Sequence, residues 1–453
     1  MRKALILIFV FLSIGLFTRQ SLWLDEATSA KAAGLGIYDL LTRYAPNDFH
    51  PPLYYLLLHF WIMIGGTDEN WVRLLSVISV FFTTLFVYAI GRHFYGEKWG
   101  VVGAIIFGTG PLIFYYATEA RMYALAMMWV ALSVLGYIRF LSSGSWRWWV
   151  IWLLAMVFSI YTDYLPLLVQ PIFFLMLFRI KTNRLKVMIL TGFIVEILLF
   201  ALWLPILIHQ LVSGIMVETT FPLWWRILGQ LSFKSLALLW VKMIIGRISF
   251  FDKSVYFAVV GFVSLIFGLA LYKASKELKK VNLLWLWLLL PVTLGLILSL
   301  RLAIFQYFRF LFIAPAFYLL ITVGIKNLGL KVAILFLSIN LIFDAIYVLS
   351  PRFHREDWRS AADYIRTNKQ GSSVALFPNS GQADAYLYYG SPAPLAESRI
   401  WYVNQPSQVW LFRYVQEIFD PDDTLKAQLE EMGYYKREEK SFNQILVWRY
   451  EKL

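Results

Sequence analysis

Residues 2–26 read RKALILIFVFLSIGLFTRQSLWLDE, and this stretch decides the class of the molecule. Arg2 and Lys3 precede an apolar run over 4–18, Thr18-Arg19-Gln20 end it, and Asp25-Glu26 follow the apolar Leu22-Trp23-Leu24. A bilayer core about 30 Å thick takes roughly 20 apolar residues in helical form, so the run is a candidate first span. A small-x-small cleavage site does not follow it, and the sequence therefore predicts an uncleaved span rather than a signal peptide.

The same pattern recurs along the chain. Apolar runs cover about 72–90, 99–116, 121–140, 148–162, 164–179, 187–209, 255–272, 282–300, 309–325 and 331–349. With 4–18 they predict a polytopic α-helical membrane protein of about 11 transmembrane helices, its termini on opposite sides. Composition agrees: 60% of the 453 residues are hydrophobic and 15% charged, whereas soluble domains are roughly half apolar and a quarter charged. There is no cysteine, which excludes disulfides, a thiolate nucleophile and cysteine-ligated zinc. The net charge of +13 does not signal nucleic acid, because the cations fall mostly between apolar runs. Alternate loops, with Arg2 and Lys3, hold sixteen Lys/Arg against two acids, Glu97 and Glu277. The opposite loops carry Asp25, Glu26, Asp48, Glu119 and Asp163. Cytoplasmic loops collect Lys and Arg, so the N-terminus is predicted cytoplasmic and the acidic loops extracytoplasmic. That is the pattern of a multi-pass protein of the plasma (inner) membrane.

Two outer segments are too long to be turns. The first, 19–71, carries amphipathic stretches at 26–34 and 37–41 that suggest interfacial helices. The second, 210–254, carries Trp224, Trp225, Trp240 and Phe250-Phe251, aromatics favoured at headgroup depth. From about Pro351 the composition turns soluble, with a helical pattern at 357–368 and strand-like runs at 373–377, 409–412 and 444–450. The division expected is a transmembrane catalytic domain over 1–350 and a small C-terminal extracytoplasmic α/β domain over 351–453.

Ionisable groups at membrane depth are costly and mark functional sites by default. Asp25 and Glu26 could act as a general base toward an acceptor hydroxyl beside a dry cavity, or simply be solvated loop acids. In Asp48-Phe49-His50-Pro51-Pro52-Leu53 the prolines fix a rigid helix start. Asp48 and His50 there are candidates for a divalent metal or for contacts to a phosphate-bound ion pair. Thr118-Glu119-Ala120-Arg121-Met122-Tyr123 ends a span; Arg121 suits a phosphate, with Glu119 orienting it, or the two form a structural pair. Arg309, set among Gln306-Tyr307-Phe308 and Phe310, needs an anionic partner, either a lipid-linked phosphate or an ordinary headgroup. Asp163, in Tyr161-Thr162-Asp163-Tyr164, is a ligand or a helix cap. Arg355, Asp357, Trp358 and Arg359 open the soluble segment and either reach down to the membrane face or, as the plainer reading, form a charged linker.

Taken in order, these motifs resemble the GT-C superfamily of glycosyltransferases, in particular relatives of protein O-mannosyltransferases and of the aminoarabinose transferase that modifies lipid A. The resemblance rests on Trp23-Leu24-Asp25-Glu26-Ala27, Asp48-x-His50-Pro51-Pro52-Leu53 and Arg73-Leu74-Leu75-Ser76. It continues through Glu119-Ala120-Arg121-Met122-Tyr123, Tyr161-Thr162-Asp163-Tyr164 and Arg309 ahead of Ala314-Pro315-Ala316. It implies an enzyme that moves a sugar from a polyprenyl-phosphate carrier to a hydroxyl of a lipid, glycan or protein acceptor, with inversion. It implies Asp25 as the catalytic base with Glu26 beside it, and Arg121 and Arg309 as binders of the carrier phosphate. Asp48, His50, Glu119, Tyr123 and Asp163 then line the substrate groove. A divalent metal is a candidate cofactor at Asp48 and His50, and no organic cofactor is implied. Asp163 stands where relatives often carry histidine. The competing expectation is a transporter or flippase of lipid-linked sugars, disfavoured by the lack of an inverted repeat and of matched broken helices in the sequence.

Overall fold

The computed structural model describes residues 2–224, 229–396 and 405–452; Trp225 lies outside them. The helices are α1 (Arg2–Ile14), α2 (Leu24–Ala33), α3 (Leu53–Gly65), α4 (Glu69–Tyr95), α5 (Glu97–Gly108), α6 (Pro111–Ala117), α7 (Tyr123–Ser143) and α8 (Trp146–Thr162). After short helical turns over Leu165–Arg179 come α9 (Asn183–Ala201), α10 (Leu204–Thr220), α11 (Phe233–Ile245), α12 (Lys253–Ser275), α13 (Asn282–Leu298), α14 (Ala314–Leu328) and α15 (Leu330–Leu349). Among the described residues five helical stretches are long and apolar enough to cross a bilayer, and the count reaches seven if two bent pairs are each one span. The other four predicted runs form shorter apolar helices, α1, α8, the 165–179 turns and α13.

Local chemistry explains the boundaries. The Asp68 carboxylate accepts hydrogen bonds from the backbone N–H groups of Asn70 and Trp71, and that of Asp252 from Ser254 and Val255, capping α4 and α12. α5 and α6 are bent by 64° at Gly108-Thr109-Gly110, and α9 and α10 by 62°. Proline favours a helix start: Pro111 opens α6 and Pro205 stands in the first turn of α10. Gly110 is required at the first bend, since a Cβ there would sit 2.3 Å from the Tyr318 hydroxyl. These breaks differ from the unbroken runs the sequence predicts, because tertiary contacts decide them. Asn340 donates to the carbonyl of Ile106, one of those left open by the bend, at 3.0 Å. Large apolar side chains of α9 and α12, among them Leu198, Phe262 and Leu265, are exposed. An apolar surface that large on a protein belongs to a hydrocarbon environment.

The C-terminal segment continues with α16 (Trp358–Asn368), β1 (Ser373–Leu376), β2 (Gln408–Phe412), β3 (Tyr434–Phe442) and β4 (Ile445–Lys452). The sheet runs β1-β2-β4-β3, with β1 and β2 parallel and the other pairs antiparallel. Trp358 stacks on Phe377 and Phe412 to seat α16 on the sheet. β3 is absent from the sequence expectation because Tyr-Tyr-Lys-Arg-Glu-Glu-Lys-Ser-Phe is an exposed, charged edge, where apolar alternation is not needed. In the second outer segment, Phe221 and Trp224 pack on Phe419 of the C-terminal region, and Trp240 donates to Ser264 inside the helical part.

Candidate active site

Within the loop from α1 to α4, α2 folds into the protein rather than along its rim, with Glu26, Ala27, Ser29, Ala30, Ala32 and Ala33 buried, while Ile37 and Tyr38 of the second predicted stretch stay exposed. This places the acidic pair in two environments. Glu26 is fully buried and takes a two-point contact from Arg73 of α4, Nε to Oε1 at 2.9 Å and Nη2 to Oε2 at 2.5 Å. Its Oε1 also accepts the Ala120 N–H at 2.8 Å, and Arg355 Nε stands 4.0 Å from Oε2. Burial opposes the charge, but Arg73, Arg355 and these hydrogen bonds outweigh it and hold the carboxyl below the usual range. Arg73 donates further to the carbonyls of Gln20 and Ser21.

Asp25 points the other way. Its side chain is 38% exposed, and among the described residues none donates a hydrogen bond to its carboxylate. Arg121 Nη2 lies 3.9 Å from Oδ2, while Nη1 donates to Ser29 Oγ at 3.0 Å. Arg121 is nearly fully buried, and its Nε has no partner among the described residues. A buried guanidinium facing one open carboxylate is charge-compensated yet retains a free donor for an anion.

The remaining predicted residues gather around this pair. Asp48 Oδ2 accepts from Tyr55 Oη at 2.6 Å and lies 3.4 Å from His50 Nδ1. Burial resists its ionisation, but His50, Arg121 and the Tyr55 hydroxyl hold its pKa down to about 2. Asp163 caps the turn after α8, accepting from Leu165 N–H at 3.1 Å, and lies within electrostatic reach of His50, Arg309 and Arg121. Burial raises its pKa. Tyr123 packs between Tyr116 and Phe308 at the head of α7. Arg309 donates to the Ala303 carbonyl at 2.7 Å and makes no ion pair among the described residues. Among the described residues no group of three or more His, Asp or Glu could hold a metal, so Asp48 and His50 have no third ligand of these types beside them.

Glu119 is paired with Arg355 rather than with Arg121: Arg355 Nη2 lies 3.3 Å from its Oε2. Burial, with Glu26 nearby, lifts its pKa to about 7 despite the opposing guanidiniums. Arg355 is no solvated linker residue; it is buried over the Tyr115 ring and also bonds the Tyr115 carbonyl. Arg247 joins the same zone with Nη1 on Tyr115 Oη at 2.5 Å and makes no ion pair among the described residues. The sequence reading assigns roles neither to Arg73 nor to Arg247. Arg73 had a signal, an arginine at the head of an apolar span; Arg247 follows an ordinary amphipathic helix and had none.

Residues 49–209 match the family model described as dolichyl-phosphate-mannose-protein mannosyltransferase. No curated protein matches the chain in sequence. Among solved structures, apo ArnT from Cupriavidus metallidurans is similar at a TM-score of 0.62 and 12% identity, covering 98% of this chain and 97% of that one. The apo oligosaccharyltransferase of Archaeoglobus fulgidus gives 0.53 and 11%, covering 92% and 69%. AglB from the same archaeon, in complex with an inhibitory peptide and a dolichol-phosphate, gives 0.50 and 11%, covering 98% and 74%. The chain thus shares the fold of ArnT and of the archaeal oligosaccharyltransferase, and residues 49–209, about a third of it, match that mannosyltransferase family model.

Proposed function

We propose that the chain is a membrane glycosyltransferase that moves a sugar from a polyprenyl-phosphate carrier to an acceptor hydroxyl, with Asp25 as general base. One observation carries this reading: of two adjacent carboxylates, Glu26 is spent on Arg73 while Asp25 stands open beside Arg121. In the reaction the acceptor hydroxyl attacks the anomeric carbon and its proton passes to an Asp25 Oδ. The bond from the anomeric carbon to the phosphate oxygen breaks on the opposite face, which inverts the configuration. Arg121, Arg309 and Arg247 then offset the charge that develops on the departing lipid phosphate. Glu26 then serves as the anchor of α2, and Asp48, His50, Tyr123 and Asp163 shape the groove. The similarity to AglB, solved with a dolichol-phosphate, supports a lipid-phosphate donor. A lipid, glycan or protein acceptor reaches the site from the extracytoplasmic side, where the C-terminal domain, 351–453, also lies. The charge asymmetry of the loops supports a cytoplasmic N-terminus in the plasma membrane. A divalent ion, if bound, would be held by Asp48 and His50 and would supply positive charge toward a phosphate.

The test uses purified protein in nanodiscs with radiolabelled polyprenyl-phosphate sugars and membrane extract as acceptor source. Free polyprenyl phosphate should be released by the wild type and not by Asp25→Asn. Turnover retained in the variant removes Asp25 as the base. The two bent helix pairs are a feature that a transporter of lipid-linked sugars would share. Donor binding without release across the panel would favour that reading.

A further inference from the structure

The segment that carries Asp25 is gripped far along the chain from where it starts. Arg359 Nη1 donates to the Arg19 carbonyl at 3.1 Å, and the Arg355 N–H to Gln20 Oε1 at 2.9 Å. Ser21 Oγ donates to the Glu356 carbonyl at 2.6 Å and accepts the Trp358 N–H at 3.0 Å. The Leu22 N–H donates to Tyr389 Oη at 2.7 Å. On the next turn of α2, Thr28 and Lys31 both reach Asp384, at 3.0 and 2.7 Å. Thus the peptide leading into Asp25 is fixed by α4 through Arg73 on one side and by the C-terminal region on the other.

One side chain in this grip sits next to the reacting group. The Glu356 Oε2 accepts the Leu24 N–H at 3.4 Å and Trp358 Nε1–H at 2.8 Å, while Oε1 accepts Tyr414 Oη–H at 2.8 Å. Leu24 N–H belongs to the first helical residue of α2, a donor with no partner inside the helix. Glu356 therefore caps α2 from outside the helix, one residue before Asp25. An anion at a helix N-terminus is also favoured by the helix dipole. Asp25 is within electrostatic reach of both Glu356 and Tyr414, so the three groups lie close together.

We propose that Glu356 is the positioning residue for Asp25, and that the C-terminal region is part of the transfer apparatus. This rests on Asp25 being the base. With Trp358 and Tyr414 fixing both of its oxygens, Glu356 sets the first turn of α2 and so the direction in which the Asp25 carboxylate leaves the backbone. Displacing a reacting group by about 1 Å costs on the order of a hundredfold in rate.

The test compares full-length wild type, Glu356→Gln, Tyr414→Phe and Asp25→Asn in nanodiscs by amide hydrogen exchange and by sugar transfer. In Glu356→Gln, exchange over residues 22–28 should rise while that of the membrane helices stays as in the wild type. Its kcat should fall about tenfold to a hundredfold with the KM for the donor unchanged, and Tyr414→Phe should show a smaller fall of the same kind. Unaltered exchange at 22–28, or a full kcat in Glu356→Gln beside an inactive Asp25→Asn, overturns the positioning role alone. An active Asp25→Asn overturns the base assignment, and with it the role given to Glu356.

Discussion

Asp25 and Glu26 leave the same turn of α2 into different surroundings, one open and one buried, and the buried member governs stability. Removing one partner of a buried ion pair strands the other, at a cost of about 3–5 kcal/mol. Arg73→Ala should therefore lower the melting temperature strongly in detergent, and more than Arg121→Ala, whose partner Asp25 can turn to water. Equal losses would contradict the division of labour drawn here. Glu119 gives a pH signature. Its pKa rises from 4.5 unfolded to about 7 folded, so between those values the folded protein holds the extra proton. Its contribution to stability is present below 4.5 and is lost as pH climbs through about 7. Glu119→Gln should flatten the thermal stability profile across that window; an unchanged slope would assign the titration elsewhere. Asp48 acts with the opposite sign: depressed from 3.8 to about 2, it adds stability above 3.8 that disappears as pH falls through about 2. The sequence makes charged residues such as Asp25, Arg121 and Arg309 conspicuous, because each stands in apolar surroundings. It does not show that Glu119 pairs with Arg355, a contact spanning 236 positions, since no local pattern encodes so distant a partner.

Among the elements, the bends respond to packing and can be tested by glycine substitution. Gly110→Ala would drive a methyl into the Tyr318 hydroxyl at the α5–α6 bend and should destabilise the protein by about 1–3 kcal/mol. Gly261→Ala, in α12 where an added Cβ would meet no neighbouring atom within 4 Å, should instead stabilise by up to about 1 kcal/mol through helix propensity. Melting temperatures moving in opposite directions would confirm the contrast, and two losses would deny it. The long apolar runs were legible because burial and lipid exposure both demand apolar residues. The bends were not: Pro111 is visible in the sequence, but the Tyr318 and Asn340 side chains that hold this bend come from α14 and α15. Strand β2 was legible from its apolar run, whereas charged β3 was masked by its own exposure.

For the whole molecule, orientation is the prediction with most reach, and the absence of cysteine makes it simple to examine. A single Lys276→Cys should react with membrane-permeant thiol reagents and resist impermeant ones in intact cells. Labelling by impermeant reagents would invert the topology and move the site to the cytoplasm. The grip of the C-terminal region on residues 19–31 bears on how such a protein can diversify. Two stretches over 300 positions apart form a single lock, so neither is free to be exchanged alone. A chimera that took its last hundred residues from a relative would have to import the matching half of the lock near its N-terminus. Recombination within this fold is thus steered toward exchanging both ends of the chain together.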